Sequence, residues 1–255
     1  IEIQTEINGF DRLFTLGYTL AKNNINNPLF KKIDPEDFKF LEITDKDTYF
    51  IKKGKWNIEH PIVLEKGLEI EKGTVLNFKE NSYLIVKGKL IANGSKDENI
   101  IFKSNEGFWK GVYVLNSNEK SIIKNSSFLN LTNLSDGLLN LTGAISFYKS
   151  DVELKNVKFI NNISEDFLNI IQSNYLLDNV LFENCFSDAF DSDFSNGVIS
   201  NSIFRNISGD GLDFSGSSTI LNDSFFYNVK DKSVSVGEES YLDIKSIFVK
   251  NSGLG

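Results

Sequence analysis

Apolar positions recur at a fixed spacing through the second half of the chain. Phe182, Phe204, Phe226 and Phe248 are each 22 residues apart, and the residues around them recur in step. Asn179-Val-Leu-Phe182-Glu-Asn184 becomes Asn201-Ser-Ile-Phe204-Arg-Asn206 and then Asp223-Ser-Phe-Phe226-Tyr-Asn228. Three residues past Phe182, Phe204 and Phe226 lies a small apolar column, Cys185, Ile207 and Val229, which Ile163 is expected to extend one coil earlier. A period in this range marks one supersecondary unit that cannot bury its apolar face alone and stacks on copies of itself. Within each unit a short alternating stretch predicts a strand: Ala189 to Asp193, Gly211 to Ser215 and Ser233 to Gly237.

Upstream the pattern loosens without disappearing. Lys124-Asn-Ser-Ser-Phe128-Leu-Asn130 and Lys155-Asn-Val-Lys-Phe159-Ile-Asn161 carry the same unit, at intervals of 31 (Phe128 to Phe159) and 23 (Phe159 to Phe182). The longer interval predicts a projecting loop over Leu131 to Gly143, a place where solenoids often carry a binding face. From Thr48 to about Phe102 apolar pairs such as Leu68/Ile70, Leu84/Val86 and Leu90/Ala92 alternate with Gly67, Gly73, Gly88 and Gly94. Such short strands suit the three flat faces of a triangular coil. Residues 1–44 fall outside the repeat. Phe10, Leu13, Phe14, Gly17, Tyr18, Leu20 and Ala21 sit at helical spacing, and Asp34-Pro-Glu-Asp37 reads as a helix start. The expected organisation is an N-terminal α-helical cap or linker over 1–44 and a parallel β-helix over 45–255.

These features, together with Gly209-Asp-Gly-Leu-Asp213 and Val234-Ser-Val-Gly-Glu238, make residues 48–251 resemble the right-handed parallel β-helix proteins of the pectin-lyase-like superfamily, especially its bacterial parallel β-helix repeat members. The resemblance implies an all-β solenoid and an extracellular or cell-envelope setting. It does not imply one activity, because the same coil serves enzymes, adhesins and fibres.

A period of 22 allows outward side chains to be stacked. Phe190 and Ser192 align with Leu212 and Phe214 and point inward. The outward columns become Asn169/Asp191/Asp213/Ser235 and Asp166/Asp188/Asp210/Lys232. Coils about 4.8 Å apart therefore crowd Asp188, Asp191, Asp193, Asp210 and Asp213. Two charges ~5 Å apart repel by roughly 3 kcal/mol at an effective dielectric near 20. Bound Ca²⁺, a raised carboxyl pKa or simple turn capping would each relieve this. Asp191 and Asp213, with Arg205, are the catalytic candidates, and the five Asp are the candidate Ca²⁺ ligands. The pectate-lyase and polygalacturonase patterns implied by the resemblance are mostly missing: the chain has two Arg, Arg12 and Arg205, and one His, His60. Trp109, Tyr113 and Tyr148 are candidate sugar-stacking residues. His60 reads as a structural or surface residue, Cys185 as core, and the Asn columns Asn179/Asn201 and Asn184/Asn206/Asn228 as amide ladders at turns.

The net charge of −8 argues against nucleic acid as a partner, and no apolar run reaches the ~20 residues needed to span a bilayer. The chain starts at Ile1, lacks Met, and stops part-way into another unit. It reads as a processed or trimmed product with further chain expected beyond its end. The functional expectation is a module that binds polysaccharide or serves as a scaffold. The alternatives are a lyase, hydrolase or epimerase at the acidic patch, and a fibre or adhesin that self-associates through its open C-terminal coil.

Overall fold

The computed structural model describes residues 3–6, 13–16, 37–44, 48–137 and 139–254, the first two as backbone strands only. The chain forms a right-handed parallel β-solenoid of about 9 turns, each about 23 residues long, with no helix longer than a single 3₁₀ residue among the described residues. Each coil has three sides. One is an eight-stranded parallel sheet running Ile62–Leu64, Leu84–Val86, Val112–Leu115, Gly143–Tyr148, Asp166–Ile171, Asp188–Asp193, Leu212–Ser215 and Val234–Val236. The other two belong to a 14-stranded sheet whose long strands, such as Ser121–Leu131 and Asn174–Cys185, fold over a corner partway along.

The corners explain the Asn-rich motif. Asn125, Asn156, Asn179, Asn201 and Asp223 mark one corner and Asn130, Asn161, Asn184, Asn206, Asn228 and Asn251 the next, all with φ between 44° and 62°. Left-handed backbone is costly for most L-residues, and Asn tolerates it best after Gly. Placed there, Asn also turns its amide along the solenoid. Asn251 donates to Asn228, Asn228 to Asn206, Asn206 to Asn184, Asn184 to Asn161 and Asn161 to Asn130, at 3.0–3.1 Å. At the first corner the ladder from Asn125 through Asn156 to Asn179 ends, because Asn201 donates to Asp178 at 2.8 Å and not to Asn179. The four residues between two Asn corners form one flat side, and its second inward position is the repeating Phe. Phe102, Phe128, Phe159, Phe182, Phe204 and Phe226 stack with centroids 4.5–5.4 Å apart and planes within 13°. A buried serine ladder marks the third corner. The Ser150 N–H donates to Ser173 Oγ, Ser173 N–H to Ser195 Oγ and Ser195 N–H to Ser217 Oγ.

Three expectations need correction. Val249, not Phe248, lies over Phe226, because the last coil has 23 residues and Phe248 is turned out to solvent, paired with Phe225. Asn162, not Ile163, lies under Cys185, for the same one-residue reason; Ile163 is exposed. The helix expected around Gly9 to Lys22 is not formed where that stretch is described. Leu13–Leu16 is a strand paired antiparallel with Ile3–Glu6, each satisfying the other's backbone groups. The helix start at Asp34 to Glu36 lies outside the described residues.

The Asn corners and the Phe column separate experimentally. Phe204→Ala is expected to cost about 3–5 kcal/mol, as large-to-small changes in a packed core do. Asn206→Gly keeps the corner geometry and loses only the amide ladder, for about 1 kcal/mol. Asn206→Val adds left-handed strain of about 1–2 kcal/mol more. Urea denaturation of the three variants checks the ranking, and equal losses for the two Asn206 variants would show that the ladder alone selects asparagine.

Candidate functional site

The outer face of the eight-stranded sheet carries a column whose chemistry changes along the solenoid. Val63, Ile85, Tyr113, Ser146, Asn169, Asp191, Asp213 and Ser235 are successive register partners. It runs from apolar through polar to acidic. The expected stacking of Asp166 on Asp188, and of Asn169, Asp191 and Asp213 on one another, holds.

The five aspartates do not act alike. Asp188 Oδ1 accepts the Asp210 N–H at 2.8 Å, and Asp210 Oδ1 accepts the Lys232 N–H at 2.8 Å. Lys232 Nζ also donates to Asp210 Oδ2 at 3.0 Å. These two carboxylates are engaged in a corner ladder. Asp191 and Asp193 instead share one donor, the Asn169 amide, whose Nδ2 lies 2.7 Å from Asp191 Oδ2 and 3.1 Å from Asp193 Oδ2. Asp213 continues the Asp191 column half-buried. Among the described residues, no group of three or more His, Cys, Asp or Glu is arranged to hold a metal ion.

Burial, reinforced by the charges of Asp166, Asp193 and Asp213, pushes the Asp191 carboxyl up to about 8. Burial also raises Asp166 to about 7, against a hydrogen bond from Thr142 and with the charges of Asp188, Glu165 and Asp193 adding to it. Asp188 is raised, again by burial first. At neutral pH the strip thus contains carboxylic acids that can donate a hydrogen bond or a proton. Asp166 is the member whose importance its sequence does not announce: it stands in the column, and only its near-complete burial (4% exposed) separates it from an ordinary turn aspartate.

Two aromatic rings flank this strip. Phe186 and Phe194 bracket the strand Asp188–Asp193 and are 67% and 64% exposed. Phe194 occupies a left-handed corner with φ 49°, and Gly216 one coil on leaves the room its ring fills: a Cβ there would lie 2.6 Å from Phe194 Cδ1. Exposed Phe in strained backbone marks a place where the fold tolerates a cost.

The other candidates fall elsewhere. Arg205 lies on the 14-stranded sheet, ion-paired to Glu183 at 2.7 Å, so it is on a different side of the coil from Asp191. Trp109 is fully buried, stacked 4.0 Å from Phe78, with its Nε1–H donating to Leu129 O at 3.0 Å. Tyr113 is fully buried as well. Its hydroxyl accepts the Leu134 N–H at 2.7 Å and donates to Gly143 O at 3.1 Å. Neither ring offers a face for stacking a sugar, because Trp109 belongs to the interior core of the coil and Tyr113 is covered from outside by Leu134 and its neighbours. Tyr148 is half-buried, and Lys149 Nζ lies 5.2 Å from its ring centroid. His60 is exposed, and burial raises the Cys185 thiol well above its ordinary value.

No family model matches the chain, and no curated protein matches it. Among solved structures it is similar to one from Parabacteroides merdae described as a "putative glycosyl hydrolase". The two are 8% identical, with a TM-score of 0.32 over 81% of this chain and 85% of that one. At that level the likeness carries no argument about site or activity. No described helix is long and apolar enough to cross a membrane.

The raised carboxyls make stability depend on pH. Asp191 and Asp166 hold protons in the folded chain that the unfolded chain releases near pH 4, so the folded state loses ground as pH rises from about 4 to about 8. Asp191→Asn, which mimics the protonated acid, is expected to gain about 1–3 kcal/mol over the wild type between about pH 4.5 and about pH 8.5, after discounting for solvent screening. Denaturant midpoints across that range check this; parallel profiles for the two proteins would contradict it.

Proposed function

We propose that this chain is a glycan-binding β-solenoid of an extracellular or envelope setting, with its binding face on the outer side of the eight-stranded sheet around Asn169, Asp191 and Asp193. The observation that carries the reading is the combination of hydrogen-bonding acids on a flat, extended face with exposed Phe186 and Phe194 at its two edges. Sugars present hydroxyls that pair with carboxyl and amide groups, and apolar C–H faces that pack on aromatic rings. A sheet repeating about every 4.8 Å offers such contacts along the length of a polymer. The acidic surface favours neutral or cationic glycans over polyuronates, which a net charge of −8 repels.

A second reading draws on the raised carboxyls of Asp191 and Asp166: a hydrolase or lyase in which Asp191 supplies the proton to a leaving oxygen. Affinity electrophoresis against a panel of neutral, amino and uronate polysaccharides tests the first reading. Asp191→Ala with Asp193→Ala is expected to weaken retardation at least tenfold and Phe194→Ala several-fold, while Arg205→Ala leaves it unchanged. Retardation by none of the panel, or equal loss in Arg205→Ala, would contradict the assignment. Product release from any polymer, lost in Asp191→Asn, would move the assignment to the second reading.

A further inference from the structure

The apolar end of the same outer column is not bare. Residues 132–137 and 139–142 fold over it, with Ser135–Asp136 paired antiparallel to Leu139–Asn140, and they are fastened at several points. Tyr83 Oη donates to Asp136 Oδ2 at 3.0 Å, Lys110 Nζ to Ser135 O at 2.9 Å, and the Leu134 N–H to the Tyr113 hydroxyl at 2.7 Å. Between this cover and the sheet lies a cavity of about 260 Å³. Its walls are mainly apolar, formed by Leu115, Leu139, Leu141, Tyr148 and Ile171, and Asn169 stands at the polar end with Ser146 and Thr142.

That polar end is unfinished. Asn169 is 2% exposed, and its Nδ2 is engaged by Asp191 and Asp193, but its Oδ1 is buried and has no hydrogen-bond partner among the described residues. Buried acceptors are normally satisfied. An amide whose N–H groups already donate to carboxyl oxygens is polarised toward a more negative oxygen, so the partner this atom lacks is a donor, and a cationic donor most of all. Three acidic side chains stand behind it, Asp191 and Asp193 through the Asn169 amide and Asp166 through Thr142, and an ammonium bound there draws the raised Asp191 and Asp166 carboxyls toward their ionised forms. No Lys, Arg or His is among the lining residues described; Lys149 sits over the Tyr148 ring at 5.2 Å and is not part of the wall.

We propose that this cavity binds a small amphipathic amine, its alkyl or aryl body among Leu115, Leu139, Leu141, Tyr148 and Ile171 and its ammonium donating to Asn169 Oδ1. A dry cavity of about 150 Å³ accepts benzene, so this one has room for a phenyl ring and a short chain. The site adjoins the glycan face and shares Asn169 with it but takes a different ligand: that reading uses the carboxyls, Asn169 Nδ2 and the exposed Phe186 and Phe194, whereas this one uses the apolar wall and Asn169 Oδ1.

The test is calorimetric or ligand-observed NMR titration of the whole chain at neutral pH with 2-phenylethylamine and its neutral counterpart 2-phenylethanol. The amine is expected to bind with a dissociation constant below about 1 mM and the alcohol about tenfold more weakly. Leu141→Trp and, separately, Leu139→Trp fill the cavity and are expected to abolish amine binding while polysaccharide retardation persists. Asn169→Leu is expected to reduce the amine to the affinity of the alcohol. No saturable amine binding at about 10 mM, equal affinity for amine and alcohol, or undiminished binding in both folded Trp variants would overturn the proposal.

Discussion

The rest of this structure depends on one constraint: a coil of about 23 residues must sit on the next at hydrogen-bonded strand spacing. At that distance a side chain meets the residue one coil above and below before it meets anything else. Residues that tolerate their own kind in a stack are therefore favoured. Phe rings stack face to face, Asn amides donate to Asn amides, and Ser hydroxyls accept from the next Ser N–H. The Ser ladder satisfies backbone N–H groups that would otherwise be stranded in the interior, while the Asn ladder pairs amides along an outer corner. Asn meets two demands at once, since the corners need left-handed backbone and the stack needs an amide.

The acidic strip departs from that rule. Carboxylates do not tolerate their own kind, and the fold relieves them in two ways. At the Asp188/Asp210 corner each carboxylate accepts a backbone N–H, and Lys232 closes the series. Along Asn169/Asp191/Asp213 only the Asn169 amide intervenes, and the remaining repulsion and burial keep protons on Asp191 and Asp166. A surface that stores protonated acids beside exposed aromatic rings is costly as architecture alone, which is why the functional reading is placed there. The adjoining cavity shares Asn169 with it, so one amide connects an acidic face with a partly covered apolar one.

Much of this was legible in the order of residues, because a solenoid turns sequence spacing directly into spatial neighbourhood. The spacing of 22 between Asp188 and Asp210 and between Asp191 and Asp213 was enough to stack them correctly. It failed where a coil gains one residue. Phe248 lies 22 residues after Phe226, but the register partner is Val249, and the Ile163/Asn162 exchange has the same origin. An insertion at a corner is silent when both neighbours are plausible core residues. Contacts between sides of the coil were harder still. Arg205 sits on the other sheet, a placement that repeat spacing alone does not reveal. Tyr113 reads as a surface aromatic because the cover it packs beneath comes from residues whose path no periodicity describes, and Trp109 turns into the core to stack on Phe78, which its spacing does not announce. The burial that sets the Asp166 and Asp191 carboxyls apart belongs to that same tertiary level.

The most direct check of this account is a ¹³C carboxyl NMR titration of aspartate-labelled protein, with Asp191→Asn and Asp166→Asn supplying the assignments. The account predicts that Asp191 titrates near pH 8 and Asp166 near pH 7 in the folded chain. Titration of both near the ordinary carboxylate value, about 4, would contradict it, leaving the strip a column of ionised turn aspartates with no special chemistry.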